Sequence, residues 1–105
     1  MNGITPTQRA LNDVANERIV QDVTWGPARD LHPTEWLTIL MEEVGEVAEV
    51  LNDTLEAAEI DLDAYRAELT QVAAVAIAAI EHAGRMEENR RLIHDAMHGG
   101  ELSDG

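Results

Sequence analysis

Residues 72–80 read VAAVAIAAI, an apolar run that leaves no side of a helix polar. A helix that is apolar all round is normally covered on all sides, either by its own chain or by a second subunit. The sequence shows no strand pattern and no internal repeat, and its 105 residues suit a single small domain. The run therefore predicts an all-α fold, with an antiparallel helical hairpin and an N-terminal helix that complete a helical bundle by oligomerisation.

Three helices are predicted around this run. The segment Thr5–Gln8 has the pattern of a capping box with proline at the first helical position, so a helix should begin there. A loop rich in glycine and proline follows, and Asp61 is placed to cap the last helix. The predicted helices run from about Pro6 to Asp22 or Val23, from Pro33 or Thr34 to about Glu59, and from Leu62 to about Met86.

The end of the chain differs in composition from the rest. Residues 1–87 are predicted to form the helical domain, and residues 88–105 an acidic C-terminal tail. A short helical piece is expected around residues 88–97. The glycine pair Gly99-Gly100 predicts a disordered end.

The net charge is −14, with 21 acidic residues against seven basic ones. A protein that binds a nucleic-acid polymer needs a basic surface to replace counterions, so the charge argues against a nucleic-acid polymer as the main partner. A small anionic ligand remains compatible with this charge if cations bridge it to the protein. The chain has no cysteine, which excludes disulfides and thiolate metal sites.

The sequence also bears on localisation. The N-terminus lacks the basic start and apolar core of a signal peptide. The longest apolar run has nine residues, Val72–Ile80, too few to span a bilayer. We therefore expect a soluble cytoplasmic protein with no membrane partner.

The acidic stretch MEEVGEVAEV, residues 41–50, has its carboxylates on two sides of the second helix. At 100° per residue, Glu43 is predicted to lie inside the apolar stripe and Glu46 one step further, beside Ile39, so both should face inward. The stripe itself consists of Leu37, Leu40, Val44, Val47, Ala48, Leu51 and Leu55, widened by Ile39 and Val50. The remaining acidic residues should be solvated on the opposite face, namely Glu35, Glu42, Glu49 and Asp53.

The third helix repeats this arrangement, with Glu68 inside its apolar face and Gln71 at the margin. Facing helices would thus bring three carboxylates and one amide around a single site. Buried carboxylates are costly unless they are neutralised, paired or bound to metal. An all-oxygen ligand set suits a hard cation, Mg²⁺ or Mn²⁺. The competing interpretation is that each pair lies on an ordinary solvated face.

Other residues have two interpretations each. Arg18, with Gln21 nearby, could reach a phosphate or the carboxylates, or form a structural ion pair. Trp25 and Trp36 could stack on a nucleotide base or belong to the core. The chain's histidines form no convincing ligand set, and the Glu-x-x-His pairs of di-iron bundles are missing. The histidines are His32, His82, His94 and His98.

The motifs Glu42-Glu43-Val44-Gly45-Glu46 and Glu68-Leu69-Thr70-Gln71 together resemble the signature of the MazG-like, all-α nucleoside triphosphate pyrophosphohydrolases. That signature is E-E-x-x-E on one helix and E-x-x-D on the next, followed by a small-apolar helix. Upstream, ERIVQDVTWG and HPTEWLTIL resemble the small stand-alone, often phage-encoded members. The resemblance covers roughly residues 10–85.

This resemblance implies Mg²⁺-dependent hydrolysis of a nucleoside triphosphate, often a non-canonical one, to the monophosphate and pyrophosphate. By position, Glu43, Glu46 and Glu68 would be metal ligands, with Gln71 at the fourth ligand position. Glu42 and Glu46 are the residues expected to position or activate water. Arg18, Gln21, Trp25 and Trp36 are the candidate substrate-binding residues, and the expected assembly is a homodimer or homotetramer.

Gln71 departs from the family pattern, since an amide oxygen can ligate Mg²⁺ but brings no negative charge. Two alternatives to this hydrolase stay open, the second of them because of Gln71. The same site could hydrolyse a diphosphate-linked or otherwise modified nucleotide. Alternatively, the chain could be a helical nucleotide-binding or interaction module that keeps the fold with weak turnover or none.

Overall fold

The computed structural model describes residues 3–55 and 59–103, and these form three α-helices. Helix α1 spans Pro6–Trp25, α2 spans Pro33–Asp53 and α3 spans Leu62–Ser103. No strand occurs in the described part of the chain. The prediction of an all-α fold is confirmed.

The helices begin where local side chains satisfy their free backbone N–H groups. The Thr5 hydroxyl accepts a hydrogen bond from the Gln8 amide at 3.1 Å, as its capping-box pattern predicts. The Asp61 carboxylate accepts one from the Ala64 amide at 3.0 Å, which confirms its role as the cap of α3. A third cap was not foreseen: the His32 ring accepts from the Thr34 amide, while the Glu35 carboxylate accepts from the His32 amide.

The ends of two helices differ from the prediction. Helix α2 stops at Asp53 instead of near Glu59. The Thr54 hydroxyl and the Thr54 amide both bond to the Leu51 carbonyl, which closes the last turn. The preceding Asn52 and Asp53 are weak helix formers, so little free energy is lost when the helix ends at this point. The predicted extension is wrong at Thr54, Leu55 and Glu59, and residues 56–58 lie outside the described residues.

Helix α3 continues past Met86, where the sequence predicted an end followed by a separate short piece. Its further turns carry the ion pairs Glu87–Arg90 and Glu88–Arg91, each three residues apart on one face. A glycine inside a helix costs only about 1 kcal/mol relative to alanine, so Gly99 does not interrupt it. Residues 88–103 of the predicted tail therefore continue helix α3 without a break. Asp104 and Gly105 lie outside the described residues.

Helix α3 contacts both other helices. It runs antiparallel to α2, because Trp36 near the start of α2 lies beside Ala78, whereas Glu46 further along lies beside Glu68. Helix α1 runs in the same direction as α3, because Arg9 near its start lines a cavity with Arg66, whereas Arg18 further along reaches Glu81. The three helices and the loop between α1 and α2 therefore enclose space on one side of α3.

The core of the chain is small. Its buried apolar residues are Val14, Trp36, Ala74, Val75 and Ala78. The radius of gyration is 19.6 Å, well above the roughly 13 Å of a compact domain of about 100 residues. Much of the predicted apolar stripe is consequently exposed, since α3 covers only one side of α2. The exposed large residues of that stripe are Leu37, Val44, Leu51 and Leu55.

Helices of membrane-spanning length and hydropathy are not found among the described residues.

Candidate metal centre and adjoining cavity

Three carboxylates meet where α2 faces α3. Glu43, Glu46 and Glu68 each contribute one oxygen to a group whose members all lie within 4.8 Å of one another. Glu43 and Glu46 come from consecutive turns of α2, and Glu68 comes from the facing turn of α3. We call these three residues the carboxylate cluster.

Two oxygens of the carboxylate cluster are buried without a partner. Neither Glu43 Oε2 nor Glu68 Oε2 has a hydrogen-bond partner among the described residues. A buried acceptor left unsatisfied costs about 1–3 kcal/mol, and more when it is charged. Such an atom in a folded protein is normally explained by a bound ion, by an ordered water or, beside a carboxylate as close as Glu46, by a shared proton. The donor set and the orphaned oxygens both fit a hard cation at this position.

The protonation of the carboxylate cluster follows from the same geometry. Burial raises the pKa of Glu43 above 4.5, and the nearby carboxylates of Glu46, Glu68 and Glu42 raise it further. Burial also raises the pKa of Glu68. The close Glu46 carboxylate raises it further, and repulsion from the Glu49 carboxylate adds to this. Both carboxyls therefore hold a proton more readily than a free glutamate does. A divalent cation would replace that proton and relieve the repulsion.

A cavity of about 450 Å³ adjoins the carboxylate cluster and shares Glu43 with it. This volume lies within the range of small-molecule and cofactor sites, about 300–1,000 Å³. We call it the interhelical cavity, because all three helices and the loop between α1 and α2 contribute to it. Its lining residues are Glu17, Val20, Gln21, Thr24, Trp25, Arg29, Ile39, Glu42, Glu43, Gln71 and Val75.

The structure brings most of the sequence-predicted site residues together. Gln21, Trp25, Glu42, Glu43 and Gln71 all line the interhelical cavity. Glu46 and Glu68 join them through the carboxylate cluster. Arg18 and Trp36 are absent from the described lining.

Arg18 lies behind the interhelical cavity in an ion-pair network. Its Nη2 atom lies 2.8 Å from Glu81 Oε1 and 3.0 Å from Asp22 Oδ1, and its Nη1 donates to the buried Gln21 side chain. Burial alone would lower the pKa of Arg18, but the two carboxylates raise it overall. The geometry is that of a structural ion pair, one of the two interpretations that the sequence allowed.

The two tryptophans occupy different environments. Trp36 is 4% exposed and packs against Val75 and Ala78. Trp25 is 63% exposed and lines the interhelical cavity at the end of α1. Trp36 is therefore a core residue in this chain, whereas the Trp25 ring is exposed at the wall of the interhelical cavity.

The helical wheel predicted the burial or exposure of the acidic side chains correctly at every position but one. Glu43 and Glu68 are partly buried as predicted, but Glu46 is exposed although the wheel placed it facing inward beside Ile39. Helix α3 covers only one side of α2, which leaves the Glu46 side chain exposed. The residues predicted to be solvated are exposed, and of these Glu42 nonetheless lines the interhelical cavity.

Sequence reasoning missed Arg29, Thr24 and Glu17 in the lining. Arg29 stood in a stretch interpreted only as a loop. The available signal was a charged dipeptide, Arg29-Asp30, inside a Gly/Pro-rich loop, since binding residues are frequent on loops held by a rigid scaffold. Asp30 pairs with the buried His82 at 2.9 Å, a contact that the sequence did not suggest.

No protein-family model, no curated protein and no solved structure matches this chain. Its function is therefore inferred from the chemistry of the carboxylate cluster and the interhelical cavity.

The raised pKa values predict how stability depends on pH. Between about 4.5 and the raised pKa values of Glu43 and Glu68, the folded chain holds protons that the unfolded chain has lost. The free energy of unfolding should therefore fall as pH rises through this window. Urea unfolding in EDTA, followed from pH 4.5 to 7.5, measures the effect. Glu68→Gln should flatten the profile, and an equally steep profile in that variant would contradict the prediction.

Proposed function

We propose that this chain hydrolyses a nucleoside triphosphate, canonical or non-canonical, to the monophosphate and pyrophosphate with Mg²⁺. One observation carries the proposal: the carboxylate cluster, with two orphaned buried oxygens, opens into a cavity large enough for a nucleotide. The E-E-x-x-E motif at Glu42–Glu46 and its partner Glu68 support membership of the MazG-like class.

The residues present fit Mg²⁺, which takes oxygen ligands and keeps several waters that substrate phosphates can replace. Glu43, Glu46 and Glu68 would hold the ion, and the amide oxygen of Gln71 is available one turn from Glu68. When bound, Mg²⁺ would neutralise phosphate charge and lower the pKa of a water molecule. Mn²⁺ has similar ligand preferences and is the alternative ion.

The chain's own residues have distinct roles in this proposal. The Glu42 carboxylate, on the wall of the interhelical cavity, accepts a hydrogen bond from the attacking water and orients it. The exposed oxygen of Glu46 can take the proton that this water loses. The Trp25 ring offers a flat surface on which a base can stack, and Gln21 lies beside it with polar atoms for the sugar or base.

A second copy of the chain is proposed to cover the exposed apolar residues. Leu37, Met41 and Val44 on α2 and Leu69 and Ile80 on α3 are all more than 40% exposed. Exposed apolar residues of this size in a chain with a small core are typical of a subunit rather than a monomer. We propose a homodimer or homotetramer in the cytoplasm.

Pyrophosphate release from a panel of canonical and modified nucleoside triphosphates tests the proposed function. The reaction is run with Mg²⁺, with Mn²⁺ and with EDTA. Metal-dependent release, together with the monophosphate in equal amount, would support it. If no triphosphate released pyrophosphate with either Mg²⁺ or Mn²⁺, the hydrolase would be rejected. Release of monophosphates from a nucleoside diphosphate conjugate alone would instead support the modified-nucleotide alternative.

Gln71 supports a second candidate function, a nucleotide-binding or interaction module with weak turnover or none. Its neutral amide lines the interhelical cavity where the resemblance expects an aspartate. A site with less negative charge binds Mg²⁺ more weakly, and nucleotide binding can then persist without efficient hydrolysis.

Replacing this amide with a carboxylate should strengthen metal binding. In Gln71→Asp, the Mg²⁺ concentration for half-maximal pyrophosphate release should fall about tenfold, because ligand charge sets affinity for hard cations. Metal titration of the initial rate measures this. The matched variant Gln71→Asn shortens the side chain equally but adds no charge, and it should not lower the requirement. Equal effects of both variants would place Gln71 away from the metal.

A further inference from the structure

Arg29 lies in the loop between α1 and α2, with its guanidinium facing two tryptophan rings. Its Cζ atom is 5.0 Å from the centroid of the Trp36 ring and 5.9 Å from that of Trp25. An arginine at this distance from an aromatic face is attracted by the ring electrons, with about 0.5–1 kcal/mol at exposed sites. The two rings therefore hold the guanidinium at the edge of the interhelical cavity.

The loop that carries Arg29 is tied to α3 at consecutive residues. The Arg85 guanidinium donates to the Arg29 carbonyl at 3.1 Å, and the His82 ring contacts the Asp30 carboxylate at 2.9 Å. Ala28 has a φ of 55°, a left-handed conformation that costs a non-glycine residue about 1–2 kcal/mol. Such strain persists only where surrounding contacts impose it, and it is concentrated at ligand-binding sites. These contacts hold the backbone of the loop at Arg29 against α3.

The side chains around the interhelical cavity differ in charge, and Arg29 provides the positive charge among them. Arg29 is the sole cationic side chain in the described lining, which also holds the carboxylates of Glu17, Glu42 and Glu43. No ion pair of Arg29 is found within residues 3–55 and 59–103, in contrast to Arg18, which is neutralised by Glu81 and Asp22. Its N–H donors are therefore available to an anion that enters from solvent.

The distance between Arg29 and the carboxylate cluster suits a ligand that is anionic along its length. Trp36, on which Arg29 lies, precedes Glu43 by seven residues of α2, or about 10 Å along the helix axis. A ligand whose phosphate chain is held by a cation at the carboxylate cluster extends from there toward Arg29. The phosphate next to the sugar then approaches the guanidinium, and the base approaches Trp25.

On the basis of the proposed function, we infer that Arg29 binds the sugar-proximal phosphate of the nucleotide from the loop side of the interhelical cavity. The planar fork of arginine forms paired, charge-assisted hydrogen bonds with phosphate oxygens. Arg29 is thus a substrate-binding residue, and Arg85 and His82 are positioning residues that hold its loop.

Equilibrium binding tests this inference independently of turnover. A non-hydrolysable nucleoside triphosphate, with a methylene group between the α- and β-phosphorus atoms, is titrated into the protein with Mg²⁺ in a calorimeter. The matching nucleoside is titrated in parallel. Arg29→Gln should weaken binding of the triphosphate analogue about 10- to 100-fold and leave nucleoside binding unchanged. Arg29→Lys, which keeps the charge but loses the planar fork, should recover part of the loss.

The matched control is Arg91→Gln, which makes the same change in charge on the exposed far part of α3. It should bind both ligands as the wild type does, and circular dichroism should show all three variants folded. Equal losses for the triphosphate analogue and the nucleoside in Arg29→Gln would overturn a phosphate contact, as would unchanged binding of both. Undetectable binding of the analogue to the wild type would overturn it as well.

The failure of this inference is distinguishable from that of the proposed function. Arg29-dependent binding of the analogue without any pyrophosphate release would reject the hydrolase and retain the phosphate contact. Metal-dependent release with an unchanged KM in Arg29→Gln would retain the hydrolase and reject the contact.

Discussion

Glu43→Gln is expected to lower kcat/KM for pyrophosphate release by at least about 100-fold with the helices intact. Loss of a residue that only supports a metal ligand costs about 10- to 100-fold, so loss of a ligand itself should cost more. Glu43 is the one member of the carboxylate cluster that also lines the interhelical cavity, so its loss affects both metal and substrate. Initial rates at saturating Mg²⁺ measure the effect.

The same substitution should leave the metal-free fold at least as stable as the wild type. Burial and three neighbouring carboxylates disfavour the charged form of Glu43, and an amide of the same shape carries no charge to repel them. Thermal unfolding in EDTA should give an equal or higher Tm, whereas the rise in Tm on adding Mg²⁺ should shrink. These two shifts together separate a lost metal ligand from a damaged fold.

Glu59→Gln is the matched control, since it makes the identical chemical change at an exposed residue outside the helices. It should retain both turnover and the Mg²⁺-dependent Tm shift. Unchanged activity in Glu43→Gln would remove Glu43 from the ligand set. A similar loss in Glu59→Gln would mean that total charge, and not the carboxylate cluster, controls turnover.

The starts of the helices were predictable because their causes are local. Thr5 and Asp61 cap helices through hydrogen bonds to amides three residues away, a distance visible in the sequence. The ends of α2 and α3 were not, because several weak effects compete there. Thr54 stops α2 by bonding to the Leu51 carbonyl, and α3 continues because neither glycine nor a charged stretch opposes a helix strongly.

The residues of the candidate site likewise fall into those that the sequence could place and those that it could not. Glu43 and Glu68 could be placed from helical periodicity, since each projects from a face defined by its own helix. Arg29 could not, because its position depends on Arg85, which is 56 residues away in the chain. The exposure of Glu46 likewise depends on how much of α2 a single α3 can cover, and a helical wheel contains no such information.

Trp36 lies in the core, which is one of the two interpretations that the sequence allowed for it. It is 4% exposed, packs against Val75 and Ala78, and lies 6.0 Å from the His82 ring. Trp36→Ala should lower the free energy of unfolding by about 3–5 kcal/mol, the usual cost of removing a large aromatic side chain from a core. A domain stable by about 5–15 kcal/mol would lose much of its folded population.

Trp25→Ala is the matched substitution at the other tryptophan, and it should have the opposite pattern. Trp25 is 63% exposed, so its loss should change the free energy of unfolding by less than about 1 kcal/mol. Its ring lines the interhelical cavity, so nucleotide binding should weaken by an amount typical of one stacked base, about 1–3 kcal/mol. Urea unfolding in EDTA and calorimetric titration of the triphosphate analogue measure the two quantities. A stable Trp36→Ala with impaired binding would reverse the assignment and return Trp36 to the ligand site, because a core residue cannot be removed without loss of stability.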